Sequence, residues 1–170
     1  EKVRQAAGMD YGSTSATCVI FGSQTLDGTI YIYDEYYMPD KPIAFHAPQI
    51  LKRIGKDRIN IICDPSMEKR SSAYVEYTDK TIIDEFKKYG LRLTGGYNKQ
   101  LDGYTAIKEL LFFDTSLDKP LPGVYISRKC KHLIHDMETA QQDKDNPDLV
   151  EKDGQYHALA AFRYLVMHIK

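Results

Sequence analysis

The residues best suited to chemistry are two aspartates and a histidine, far apart along the chain. Asp10 stands in Gly8-Met9-Asp10-Tyr11-Gly12, Asp64 in Cys63-Asp64-Pro65-Ser66, and His157 opens His157-Ala158-Leu159-Ala160-Ala161-Phe162-Arg163-Tyr164. A carboxylate at a strand end, beside a glycine that lets other groups approach closely, is well placed to hold a cation. Two such carboxylates brought together repel unless a cation lies between them. On that reading, removing either one would leave stability unchanged or raise it. Oxygen ligands suit Mg²⁺ or Mn²⁺, and an imidazole moves the preference toward Mn²⁺. Two ions about 3.5–4 Å apart could clamp the attacking water and the leaving oxygen of a phosphodiester. Asp153 is a further candidate ligand. Lys69 and Arg70, just beyond Asp64, and then Lys99 are candidates to meet phosphate. Each residue also has a plainer reading: Asp10 as a turn former, Asp64 as a strand stop before proline, His157 as a helix-start residue. Arg163 and Tyr164 read as packing or pairing beneath the site.

These residues need elements that bring them together. The β-prone residues Thr17 to Phe21 and the Asp10–Gly12 turn predict strands over 6–10 and 16–23. Leu26-Asp27-Gly28-Thr29 is a hairpin signal, followed by a third strand over 29–37, so three consecutive antiparallel strands are expected. Apolar spacing predicts a helix over 44–54 despite Pro48. The apolar run 58–64 predicts a strand buried on both faces. Beyond a polar loop over 66–75 come a helix over 81–89, a short strand over 91–94 and a helix over 101–112. A strand over 124–126 and a helix over 132–141 follow. An acidic loop over 142–154 leads into a final helix over 156–169, with Ala158, Phe162, Leu165 and Ile169 on its core face. This order implies an α/β fold, a mixed central sheet with helices on both faces. If the first strand and the 58–64 strand are parallel neighbours, Asp10 and Asp64 meet at their C-terminal ends, where open α/β sheets place their sites.

The chain has 170 residues, 42% of them hydrophobic and 28% charged, with a net charge of −1. That suits one domain with a real core over residues 1–170. The sequence pI of about 6.6 gives no bulk attraction for polyanions, so any phosphate site must be local. The three cysteines are widely spaced and form no CxxC pair, which argues for buried free thiols rather than zinc or disulfides. No apolar run is long enough to cross a membrane, and no Walker A loop is present. The chain begins with Glu and enters a strand almost at once, as expected of a part of a longer protein.

Together, the Gly8–Gly12, Cys63–Ser66 and His157–Tyr164 segments resemble the nuclease domain of the large terminase subunit of tailed phages. The resemblance covers nearly the whole chain, including the stretch from Gly95-Gly96 to Leu110. It implies a ribonuclease H-like fold and a metal-dependent endonuclease that cuts double-stranded viral DNA concatemers during packaging. Its first two acidic ligands fall on Asp10 and Asp64, and its third position on His157. It further implies two Mg²⁺ or Mn²⁺ ions, with Mn²⁺ preferred. The implied partners are an upstream ATPase motor domain, the portal and the small terminase subunit, in the cytoplasm of an infected bacterium. Two departures stand out: the family often has Asp where this chain has Tyr156, and Asp where it has Ala160. Two other readings stay open. One is a non-catalytic ribonuclease H-like module that grips DNA or docks on a portal. The other, ranked lower, is a fragment of an actin-like ATPase.

Overall fold

The computed structural model describes residues 3–57, 59–69, 80–116, 121–151 and 156–169. Six strands form one mixed sheet: β1 (Arg4–Asp10), β2 (Ala16–Gln24), β3 (Ile30–Pro39), β4 (Ile61–Cys63), β5 (Leu93–Gly95) and β6 (Val124–Ile126). Their spatial order is β5-β4-β1-β2-β3-β6. The β1-β2-β3 meander is antiparallel, while β4, β5 and β6 join by parallel pairings. Strand β1 is therefore central, and its run Ala6-Ala7-Gly8-Met9 is almost wholly buried.

Side chains alternate across the sheet, so each strand feeds two cores. On one face, Ala6, Cys18, Ile20, Ile30 and Ile32 pack against three helices. These are α3 (Gln100–Leu111), α4 (Lys131–Thr139) and α5 (His157–Ile169). On the other face, Ala7, Met9, Val19, Phe21, Ile61 and Cys63 meet α1 (Ile43–Ile54) and α2 (Ile82–Lys87). A bulge opposite Phe21 and Gly22 skips Tyr33 in the pairing. The extra residue reverses the phase of β3. Ile30 and Ile32 thus face the α5 layer, while Tyr36 faces α1.

Local chemistry sets the helix boundaries. Thr81 and Asp84 form a reciprocal capping box at α2, which satisfies two N-terminal amides at once. Glu35 of β3 accepts from the backbone amides of His132 and Leu133 and so caps α4 from outside. Asp136 of α4 does the same for α5, accepting from Ala158 N at 2.9 Å and Leu159 N at 3.1 Å. Pro48 lies inside α1, in its second turn, and the helix continues through it to Ile54. Strand β4 is shorter than the apolar run suggests. Even so, Asn60 keeps its carbonyl on Ala7 N at 3.2 Å. All three cysteines are buried free thiols.

Candidate functional site at the C-terminal ends of β1 and β4

Parallel pairing aligns Met9 with Cys63. Asp10 and Asp64 come one residue later, at the same end of adjacent strands. Met9 and Cys63 point into the α1/α2 core. By alternation the two carboxylates point the other way, toward α5. Helix α5 can lie this close because β1 has a glycine beneath it. A Cβ on Gly8 would sit 2.0 Å from the Ala161 carbonyl oxygen and 2.6 Å from Leu165 N.

Seated there, α5 brings one side chain to each carboxylate. His157, its first residue, puts Nδ1 2.7 Å from Asp10 Oδ2. A carboxylate only accepts, so Nδ1 carries the proton, which leaves Nε2 as the acceptor of a neutral ring. That Nε2 is buried and has no hydrogen-bond partner among the described residues. The Asp10 hydrogen bond is the main cause that raises the His157 pKa above its ordinary 6.5, against the opposing effect of burial. Asp10, Gln100, Glu151, His157 and Ala160 share the walls of a cleft of about 140 Å³.

Tyr164, seven residues on, is two helical turns along the same face. Its hydroxyl donates to Asp64 Oδ2 at 2.5 Å and lies 2.8 Å from Asn98 Oδ1. Asp64 Oδ1 accepts from Ser66 N at 2.7 Å. Burial would raise the Asp64 pKa, but the hydrogen bonds from Tyr164 and Ser66, with the Arg163 charge, outweigh it and hold the group below its ordinary value. Asn98 Nδ2 reaches Asp64 Oδ2 at 3.4 Å, and Asn98 Oδ1 accepts from Arg163 Nη2 at 3.1 Å.

The structure thus joins Asp10 to His157 and places Asp64 at the neighbouring strand end, in a hydrogen-bond network of its own. Among the described residues, no three His, Cys, Asp or Glu side chains form a group able to hold a metal ion. The donor set still fits a hard divalent cation in part: carboxylate oxygens on adjacent strand ends and a buried imidazole nitrogen without a partner. Asp64 accepts two short hydrogen bonds, so replacing it with Ala removes both and leaves Tyr164's hydroxyl only the Asn98 Oδ1 contact. The loss of these bonds opposes the gain expected from relieving carboxylate repulsion.

Lys69 is exposed, immediately after the 3-10 turn Pro65–Glu68 that follows Asp64. Lys99 is exposed at the start of α3, next to Asn98. Arg70 and Asp153 lie outside the described residues. Sequence reasoning did not single out Asn98, Asp136 or Glu151. The i+7 spacing of Tyr164 from His157 does signal that the two share a helical face, but not which residue Tyr164 meets.

No protein-family model matches the chain, and no curated protein matches it. Solved structures do. The nuclease domain of the P22 large terminase superposes with a TM-score of 0.73 at 11% identity, over 98% of this chain and 81% of that one. The large terminase nuclease domain of bacteriophage SPP1, with bound Mn, gives 0.62 at 19% identity, over 96% and 84%. The large terminase of a thermophilic bacteriophage, in complex with ATP-gamma-S, gives 0.70 at 20% identity. That alignment covers 96% of this chain but only 39% of the thermophilic phage's chain. The fold is ribonuclease H-like, that of terminase nuclease domains.

Proposed function

We propose that this chain is a metal-dependent endonuclease that cuts double-stranded DNA during phage genome packaging. The observation that carries the reading is Asp10 and Asp64 at the ends of adjacent parallel strands, both facing α5, with His157 on Asp10. The likeness in fold to terminase nuclease domains supports it, as does the Mn bound in the SPP1 domain. In this reading Asp10, Asp64 and His157 hold one or two Mg²⁺ or Mn²⁺ ions, with Mn²⁺ preferred, and Asp153 is a further candidate. When bound, such ions supply an activated water and charge neutralisation at the leaving oxygen. The chain's own contribution is to fix the donors. Asp10 orients the imidazole, Ser66 and Tyr164 orient the Asp64 carboxylate, and the α5 backbone over Gly8 holds the two halves in register.

Lys69, Arg70 and Lys99 would meet DNA phosphates. Residues 1–170 would form one nuclease domain of a longer protein. The thermophilic phage's terminase, of which this chain covers 39%, is in complex with ATP-gamma-S. An ATPase motor upstream, a portal and a small subunit would be the partners, in the infected host's cytoplasm.

The test is nicking of supercoiled plasmid across a titration of Mn²⁺ and of Mg²⁺. Asp10→Asn and Asp64→Asn should each abolish metal-dependent cutting while the protein stays folded by circular dichroism. Full activity in either variant would remove that residue from the site. The second reading, a DNA-gripping module without catalysis, is favoured by the absence of a three-ligand group among the described residues. It predicts DNA retention and no cutting by the unmodified chain at any metal concentration.

A further inference from the structure

Tyr164 and the groups behind it are costly to keep. Arg163 is 3% exposed and Tyr164 1%. The guanidinium lies 4.4 Å from the Tyr164 ring centroid and 6.0 Å from that of Tyr104. Its Nε and Nη1 are buried without a hydrogen-bond partner among the described residues. A buried cation with unmet donors costs stability that an apolar pair of the same volume would not. The surrounding sequence is also constrained to admit it. A Cβ on Gly103 would fall 2.4 Å from Arg163 Cγ, and one on Gly96 would fall 2.5 Å from Ile62 Cγ2 and 3.3 Å from the Tyr164 ring.

The bond from Arg163 Nη2 to Asn98 Oδ1 fixes which way that amide points. With Oδ1 turned to Arg163, Asn98 Nδ2 is left facing Asp64 Oδ2. Tyr164 has a single hydroxyl proton, and the shorter contact gives it to Asp64. Tyr164 and Asn98 therefore converge on one carboxylate oxygen, with Arg163 behind Asn98. Ser66 N takes the other. Oδ2 thus has both lone-pair directions occupied, while Oδ1, which accepts from Ser66 N alone, keeps one for a cation.

We infer that Tyr164 is a positioning residue for Asp64, held in place by the Arg163–Asn98 bond, and that it sets the affinity of the Asp64 half of the centre for a divalent cation. The inference rests on the nuclease reading above. Hydrogen bonds of this outer kind orient a ligating carboxylate, and losing one typically weakens metal binding by about 10- to 100-fold.

The experiment measures Mn²⁺ binding to the purified chain from the electron paramagnetic resonance signal of free Mn²⁺, and separately DNA cutting. Tyr164→Phe should weaken Mn²⁺ binding by about 10-fold or more. At limiting Mn²⁺ it should lower kcat and leave the KM for DNA unchanged, with cutting restored by excess Mn²⁺. A purely structural tyrosine would not give metal rescue. Asn98→Ala, on an exposed loop, should shift Mn²⁺ binding in the same direction by less, and it serves if Tyr164→Phe does not fold. Wild-type Mn²⁺ affinity in folded Tyr164→Phe, or in folded Asn98→Ala where the tyrosine variant fails, would overturn the positioning role and leave the nuclease reading standing. An unmodified chain that neither binds Mn²⁺ nor cuts DNA would overturn the nuclease reading itself, and this inference with it.

Discussion

Gly8→Ala tests whether the seating of α5 on β1 holds the site together. The added methyl would meet the Ala161 carbonyl at 2.0 Å, and that backbone oxygen has to retreat to about 3.4 Å. The helix therefore lifts by about 1.4 Å at this point. Overpacking of a dense core costs about 1–3 kcal/mol. A 1.4 Å shift also stretches the Asp10–His157 and Asp64–Tyr164 contacts beyond hydrogen-bonding range. Bonds to charged groups are worth about 1.5–3 kcal/mol each, less here because both pairs keep some access to water. The total is about 3–5 kcal/mol, a large part of the 5–15 kcal/mol usual for a domain. With a urea slope of about 2 kcal/mol/M, the unfolding midpoint should fall by about 1.5–2.5 M. Two glycines calibrate the measurement. Gly28 has open space around it and φ of 89°, so Gly28→Ala should cost only its backbone strain, about 1–2 kcal/mol. Gly22 faces the tips of the Ile32 and Leu165 side chains, which can rotate away, so Gly22→Ala should fall between the two. A loss in Gly8→Ala no larger than that in Gly28→Ala would refute the reasoning.

Three further outcomes are expected. Asp136→Ala removes the external cap of α5 and should cost about 1–2 kcal/mol by urea unfolding, with Asp136→Asn milder. In metal-free protein, the His157 ring should titrate above 6.5 by NMR and move down in Asp10→Asn. Because the folded pKa is raised, the pair stabilises the protein fully below about 6.5 and progressively less as the pH rises through the folded value; a His157 pKa at or below 6.5 would contradict the contact. Ala160 lines the same cleft as Asp10 and His157, so Ala160→Asp should lower the Mg²⁺ concentration for half-maximal cutting, and an unchanged requirement would count against that cleft as the metal site.

The elements were legible because their signals are local. β-prone residues and the Asp10–Gly12 turn mark β1 to β3, the Asp27-Gly28 turn separates β2 from β3, and the Ala158–Ile169 stripe marks α5. The apolar run before Asp64 marked β4 as a strand buried on both faces, while its parallel place beside β1 entered only as a condition that the structure meets. What stayed hidden depends on pairings across the sheet. Tyr164 meets Asp64 across 100 positions, and nothing near either residue announces the other. Arg163 reads as packing or pairing beneath the site, and it is buried there, but the glycine that leaves room for its stem, Gly103, lies on another helix and could not be matched to it from the sequence. The bulge at Tyr33 could not be read either, since one extra residue leaves the strand's composition unchanged.

The clasp between the first strand and the last helix also bears on when the site can exist. Arg4 of β1 donates to the His168 carbonyl at 3.0 Å, and Asp10 meets His157 across 147 positions. Long-range closures of this kind come late and slowly in folding. On a ribosome, the central strand emerges long before the helix that covers it. Until α5 is released, Asp10 has no imidazole and Asp64 no tyrosine. A partly made chain therefore carries the acids of the centre but cannot assemble it, and the order of synthesis keeps the site incomplete until translation of α5 is finished.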